Sequence, residues 1–360
     1  MYLLDLVIFA PYTGHMFRPP YHITETLLSR ITRAESIRSR IVHSIEHESS
    51  RMAIRAEALT RRAFFSMAIE GSPSTLAEAQ ALAVTPLRSV REHPRRQLAN
   101  CLRMLRWMSQ RPPGTPTDKP FVLALHQLLT DGIADRQLVG RYKASNRVVC
   151  LGPTLIYDPP GPKRAKRGMR ALYRWLENPA ASLHPVVVSA IIHAEVARLH
   201  PFAVGNGPMA RALAHWALVQ HRFDPEHLLV PEQHYHDDRE GYLEALYRAH
   251  RMPEDLTLWI EYAALAVLEA LQRTWRRIEQ LTTGGTASAN TELTHQQQRM
   301  VSIIEKKGAL TVRELQQELD VERVQVYRII RPLLNGHLLT KSVSRPVIYR
   351  LSHPTHPTVP

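Results

Sequence analysis

Cysteine is nearly absent from this chain: among 360 residues there are only two, Cys101 and Cys150. Their spacing fits neither a disulfide framework nor a metal-ligand pair, which excludes a disulfide-stapled scaffold and a cysteine metal centre. A reducing cytoplasm is the expected compartment. Acidic residues are also in short supply, 33 against 46 lysines and arginines, leaving a formal charge of +13. A balance of that sign favours anionic partners: nucleic acid, nucleotides or acidic protein surfaces. No apolar run approaches the roughly 20 residues that span a bilayer. The opening MYLLDLVIFA is interrupted by Asp5 and lacks both a basic flank and a small-residue cleavage site, so no signal peptide is expected. Internal repeats are lacking as well.

What is present is length enough for two domains and helical periodicity over most of it. The first segment, through PYTGHMFRPPYHI, is proline-rich and expected to be irregular. Apolar residues then recur at spacings of three and four from Thr24 to Ser66, until EGSPST breaks the pattern. Thr75-Leu76-Ala77-Glu78 reads as a capping box. Helical patterns follow at 95–110, 121–131, 164–177, 184–199, 208–221, 238–249 and 256–281. Between them, residues 140–162 carry β-branched residues among glycine and proline breakers, which predicts a short hairpin or flap. The segment LTTGGTASANTELT is small and polar, a linker. The boundaries read as a helical region at 1–110, a core at 111–281, a linker at 282–293, a second domain at 294–352 and a tail at 353–360.

The chemistry concentrates in RLHPFAVGNGPMARAL, residues 198–213. Gly205-Asn206-Gly207 falls between the end of one helix and the start of the next. Glycines there let the backbone approach a ligand, and the new helix adds its positive dipole end, so the turn suits an anion. Arg211, one turn into that helix, could grip a phosphate. His200, closing the preceding helix, could take a proton from a hydroxyl.

At these residues the chain resembles the Fic (Fido-domain) family, whose motif runs His-Pro-Phe-x-Asp/Glu-Gly-Asn-Gly-Arg-x-x-Arg. The match holds at His200, Pro201, Phe202, Gly205, Asn206, Gly207 and Arg211, and departs at Val204 and Pro208. FSMAIEG resembles the family's inhibitory Ser-x-x-x-Glu-Gly, falling on Ser66, Glu70 and Gly71. GRYKASNRVV with TLIYDPP resembles the target-docking flap, here Leu155, Ile156 and Tyr157. REGYLEALYRAH resembles the stretch bearing an adenine-side tyrosine, here Tyr242. The resemblance runs from roughly residue 15 to 275. It implies a mainly α Fic-type core with a small β-hairpin flap.

The implied activity is AMP transfer from ATP to a hydroxyl side chain of a target protein. His200 would be the base and Asn206 its catalytic companion. Gly205, Asn206, Gly207 and Arg211 would hold phosphates, with Glu70 pairing Arg211 when the site is shut. The family's acid ligates magnesium, and Val204 cannot, so magnesium would come held by the nucleotide phosphates alone. Losing a catalytic metal's protein ligand could cost roughly 10²- to 10⁴-fold in rate. The alternatives are a catalytically dead, nucleotide-sensing module that regulates DNA, and a transferase for another phosphate-containing donor.

Residues 294–352 read as three helices followed by two short strands, which looks like a winged helix-turn-helix. Thr311-Val312-Arg313-Glu314 is a second capping box, and Gly336 reads as the stop of the third helix. Arg323, Gln325, Tyr327 and Arg328 would face DNA, with Lys341 and Arg345 on the wing. The alternative is a protein-interaction or dimerisation module, and a homodimer would fit it.

Overall fold

The computed structural model describes residues 12–13, 16–17, 19–44, 48–84, 90, 93–112, 114–151, 154–177, 179–224, 226–282, 295–319, 321, 323–335, 339–342 and 347–351. Contacts divide the chain into two units, Met1–Thr282 and Thr283–Pro360.

The first unit is mainly α and built around two central helices, α7 (Pro185–Leu199) and α8 (Asn206–Gln220). Almost every residue of both is buried. A helix apolar on all sides belongs inside other helices, and that is what surrounds this pair. The outer elements before it are α1 (Glu25–Ser44), α2 (Glu48–Ile69), α3 (Leu76–Ala83), α4 (His93–Ser109), α5 (Lys119–Thr130) and α6 (Pro162–Glu177). After it come α9 (Glu232–Asp237), α10 (Arg239–Arg251) and the long α11 (Thr257–Thr282). Helix α2 packs on α4 and α9 and touches α8, while α11 carries α1 on one side and α7 on another. The indole of Trp259 on α11 donates to the Ala190 carbonyl of α7 at 2.7 Å. None of the described helices is long and apolar enough to cross a membrane.

Local sequence explains most boundaries. His184 caps α7, with Pro185 in the first turn where its missing amide costs nothing. The Thr75 hydroxyl accepts from the Glu78 amide at 3.2 Å, and the Glu78 carboxylate accepts from the Thr75 amide at 2.7 Å. Four features depart from the sequence pattern. The helical pattern from Thr24 to Ser66 is carried by two helices, and the second runs on to Ile69 because Met67 and Ile69 are buried. Helix α9 is too short to show a period. The N-terminal segment expected to be irregular holds a strand pair, β1 (Tyr12–Thr13) and β2 (Met16–Phe17); Phe17 anchors it, edge-on to Trp175 at 5.5 Å. Helix α8 begins at Asn206, two residues before the apolar pattern does. The flap expected within 140–162 is an antiparallel pair, β3 (Val149–Leu151) and β4 (Thr154–Tyr157), pairing Val149 with Tyr157 and Leu151 with Thr154.

The second unit runs α12 (His295–Lys307), β5 (Leu310–Thr311), α13 (Val312–Leu319), α14 (Arg323–Asn335), β6 (Leu339–Lys341) and β7 (Ile348–Leu351). Its three strands pair antiparallel in the order β5-β7-β6. Strand β5 adds to the two strands that alternation predicts. Two residues cannot show a period, and Thr311 also heads α13 through its capping box with Glu314. Met300, Leu315, Val326, Ile330 and Leu333 form the core. Gly336 lies outside the described residues, as does the tail at 353–360.

The first unit folds around histidines that burial holds neutral. Burial pushes His126 down to about 4 and His227 and His250 to about 3, and it lowers His193 and His215 as well. Each sits below the ordinary 6.5, so between about pH 4 and 6.5 the unfolded chain binds protons that the fold refuses. Their contribution is complete above that window and is lost as pH falls through it. Buried Asp224 and Glu232 are raised and act in the opposite sense, but the histidines outnumber them. A histidine held near 4 gives up about 2 kcal/mol between pH 7 and pH 5. We expect the thermal midpoint to drop by roughly 10 °C over that interval. A midpoint that is level or rises toward pH 5 would show that these rings accept protons inside the fold.

Candidate functional site

The last turn of α2 supplies one side of the site. Ser66 and Glu70 are four residues apart and share a helix face. The helix ends at Ile69, with Glu70 the next residue, because Gly71 adopts left-handed backbone, φ 84°. Its amide bonds the Ala68 carbonyl at 2.9 Å while the Ser72 amide reaches Met67 at 3.1 Å, the paired bonds of a glycine-terminated helix. Arg239 of α10 donates to the Ile69 carbonyl at 3.1 Å. Glu70 is thus fixed at the negative end of its own helix dipole, where a carboxylate is disfavoured. Its compensation comes from α8.

Arg211 of α8 has a side chain only 2% exposed, against 40% for Glu70. Its Nε donates to the Ser66 hydroxyl at 2.9 Å. Nη2 donates to the Ser66 carbonyl at 2.8 Å and to Glu70 Oε1 at 2.7 Å. Nη1 faces the Tyr242 hydroxyl at 3.3 Å. Burial alone would loosen the Arg211 proton, but Tyr242 and then Glu70 more than offset it, and the guanidinium is held above its ordinary value. The Glu70 carboxylate also reaches the first turn of α8: a Cβ on Gly207 would collide with its Oε1. A carboxylate therefore rests where first-turn amides and the helix dipole favour an anion.

The turn into α8 is built for that approach. Gly205 precedes the helix at φ 77° with no capping side chain. The Asn206 carboxamide closes the loop on itself, accepting from the Phe202 amide at 2.9 Å and donating to the Phe202 carbonyl at 3.0 Å. Pro208, expected at the first helical position, is the third. It is still within the first turn, whose amides have no partner in the helix, so the ring is tolerated. The amide it lacks is one of those aimed at an anion, leaving Asn206 and Gly207 as the first-turn donors ahead of it.

His200 ends α7 in left-handed backbone, φ 46° and ψ 57°, an unusual conformation for a residue with a Cβ. Lys143 brackets it: its amide donates to the Pro201 carbonyl at 2.8 Å, and its ammonium reaches the Leu199 carbonyl at 3.5 Å. Burial, then the Lys143 charge, push the His200 imidazole down to about 4. The ring is neutral at pH 7 and able to accept a proton. The flap ends beside it, with the Tyr157 hydroxyl donating to the Arg198 carbonyl at 3.0 Å and its ring 4.8 Å from that of His250. Leu155 and Ile156 lie on the same strand.

Sequence reading missed two residues that shape this site, Lys143 and His126. The His126 ring lies 3.9 Å from that of Phe202 and nearly parallel to it. Its Nδ1 accepts from the Gly140 amide at 3.1 Å, so Nε2 carries the hydrogen and donates to the Val204 carbonyl at 3.1 Å. The available signal was a histidine within the buried apolar stripe of Phe121, Val122, Leu125 and Leu129. Tyr242, expected to offer a ring face to adenine, is 2% exposed. It stacks on Tyr235 at 4.8 Å, bonds His193 at 3.0 Å and backs Arg211. Val204 turns an alkyl side chain outward, 42% exposed. An alkyl group cannot ligate magnesium, and no group of three or more His, Cys, Asp or Glu among the described residues could hold a metal.

In the second unit Gln325, Tyr327 and Lys341 are exposed. Arg345 lies outside the described residues, as do the side chains of Arg323 and Arg328.

Comparison with known proteins is consistent with this geometry. The Fic/DOC family model matches residues 116–218. The chain is 29% identical over 213 residues to a protein named protein adenylyltransferase Fic from Drosophila ananassae, covering 56% of this chain and 40% of that one. It is 30% identical over 213 residues to the protein of that name from Drosophila melanogaster, covering 56% and 41%. It thus spans about two fifths of the length of these relatives. Among solved structures, a Fic family protein from Desulfovibrio desulfuricans aligns over 94% of this chain and 100% of its own, with a TM-score of 0.62 and 24% identity. Fic-1 from C. elegans aligns over 71% and 73%, with a TM-score of 0.59 and 18% identity. The loop between α7 and α8, with most of the two helices it joins, falls inside the segment that matches the Fic/DOC family model.

Proposed function

We propose that this protein is an autoinhibited protein adenylyltransferase, transferring AMP from ATP to a hydroxyl side chain of a target protein. The observation that carries the reading is the Glu70 carboxylate on Arg211 at 2.7 Å, at the N-terminus of α8. An arginine able to bind a terminal phosphate is occupied by an internal anion, so ATP has to compete for it. Neutral His200 accepts the target's hydroxyl proton, the hydroxyl oxygen bonds the α-phosphorus, and pyrophosphate leaves. Gly205, Asn206 and Gly207 bring backbone close to the phosphates. Leu155, Ile156 and Tyr157 present the target segment beside the base. The relatives named protein adenylyltransferase Fic support this reading at the level of the family. A cytoplasmic setting agrees with Cys101, a free thiol that burial pushes up to about 12.

Val204 and Pro208 favour a second reading, a nucleotide-sensing module without catalysis that acts through DNA. The order of helices and strands in 295–351 supports reading the second unit as a winged helix, with Arg323, Gln325, Tyr327 and Arg328 toward DNA and Lys341 and Arg345 on the wing.

Labelled ATP separates the two. We expect little self-labelling from wild type, clear labelling from Glu70→Gly, and none once His200→Ala is added. Adding Val204→Asp to the Glu70→Gly protein should raise the rate by roughly 10²-fold or more if magnesium ligation is the defect. Absence of label from every one of these variants sinks the transferase reading.

DNA binding is tested by the salt dependence of duplex affinity in the full chain. We expect a steep decline with salt, and for Arg328→Ala a slope shallower by about one. An unchanged slope in Arg328→Ala would remove that residue from the DNA face.

A further inference from the structure

Helix α6 presents six cations and almost no acid. Lys163, Arg164, Lys166, Arg167, Arg170 and Arg174 are all exposed, and Glu177, its last residue, is its one carboxylate. Ala165, Met169, Leu172 and Trp175 are buried on the opposite side. Among the described residues none of the six has an ion pair or side-chain hydrogen bond. Other basic helices differ in this respect. On α4, which also lacks acids, Arg103 pairs with Asp131 at 2.9 Å and Arg106 bonds the Ala83 carbonyl.

This arrangement works against the helix. Lys163 with Arg167, Lys166 with Arg170, and Arg170 with Arg174 are like charges four residues apart, which repel across one turn. Lys163 and Arg164 stand in the first turn, at the positive end of the dipole. Nothing described within the chain relieves these costs, whereas an external anion would relieve all of them at once.

We infer that the outer face of α6 is a docking surface for an acidic, extended segment of the target protein. The assignment rests on the transferase reading for the role of that partner. Helix α6 begins five residues after the end of β4, the flap strand whose Tyr157 is tied to Arg198 beside His200. Along the chain, the first of the six cations follows Tyr157 of the flap by six residues. From Lys163 to Arg174 the face is about 16 Å long at 1.5 Å per residue. That length equals about five residues of extended peptide, room for two or three carboxylates. Single-stranded nucleic acid is the less suited partner because Tyr173 and Trp175 are turned inward, leaving this helix no exposed ring for bases to stack on. A lipid surface is less suited still: the apolar side of α6 is already packed in the core, so nothing is left to enter the bilayer.

The test uses the full-length protein and a fluorescent peptide of about 15 residues carrying one serine and a run of Asp and Glu. Anisotropy should report binding at low salt that weakens as salt shortens the screening length. The variant Lys163→Glu, Arg167→Glu, Arg170→Glu should bind at least about tenfold more weakly. The milder Lys163→Gln, Arg167→Gln, Arg170→Gln should show a smaller loss in the same direction, and it guards against misfolding of the reversed variant. Equal peptide binding by wild type and both variants would overturn the proposal. So would a duplex DNA oligonucleotide whose affinity falls more than the peptide's in the same variants, which would make α6 a nucleic-acid face. The readout needs no ATP, so failure of AMP transfer leaves this test standing, and failure here leaves the labelling experiment standing.

Discussion

A guanidinium sealed inside a protein has to be paired, because an unpaired buried charge is far more costly than any single contact is favourable. Arg211 sits in that position, and the site is arranged around its pairing. Tyr242 bonds it from behind and Ser66 from the side, leaving Glu70 as the one carboxylate bonded to it among the described residues. Ser66 and Tyr242 are neutral, so they orient the cation without cancelling it. Glu70 is also the partner most open to solvent, and it stands at the end of a helix where its own charge is disfavoured. The pair is therefore held by the guanidinium and the α8 N-terminus more than by the helix that delivers the acid. An incoming phosphate would offer the guanidinium the same kind of bond with more charge. An ion pair of this sort, partly exposed, is worth about 1–2 kcal/mol, which is within reach of a nucleotide at ordinary concentrations.

The loop opposite is stiffened by backbone contacts of a different kind. Asn206 ties the turn to Phe202, His126 stacks on that ring and holds the Val204 carbonyl, and Lys143 clamps both sides of His200. None of these contacts uses the Val204 side chain. The loop keeps its shape although the acid position carries an alkyl group. That separation of shape from charge leaves His200, the α8 N-terminus and the Glu70 carboxylate in place whatever the side chain at 204.

The parts of this site legible in sequence are those fixed by local geometry. A glycine after Glu70 and a serine four residues before it define a helix end and a face. A glycine-flanked asparagine ahead of an apolar run defines a turn and a helix start. Capping boxes at Thr75 and Thr311 are equally local. What could not be read depends on distant chain. His126 is 78 residues from the carbonyl it holds, and Lys143 acts on residues more than 50 positions away. Tyr242 is a tyrosine on a helix whether it faces a ligand or the interior; only the packing of Tyr235 and His193 turns it inward. Pro208 looked like a helix opener because proline favours that place, but the helix gains two residues from the Gly205 turn. Helix α6 was legible as a helix, yet the absence of partners for its cations among the described residues is visible only when the neighbouring surface is in place.

The central claim is that Glu70 and the nucleotide compete for Arg211. Calorimetric titration of ATP into wild type, Glu70→Gly, Arg211→Ala and the double variant measures that competition directly. The account predicts that Glu70→Gly binds ATP about tenfold more tightly than wild type, and that this gain vanishes when Arg211 is alanine. ATP affinity that is the same in wild type and Glu70→Gly, or a gain that persists without Arg211, would contradict it.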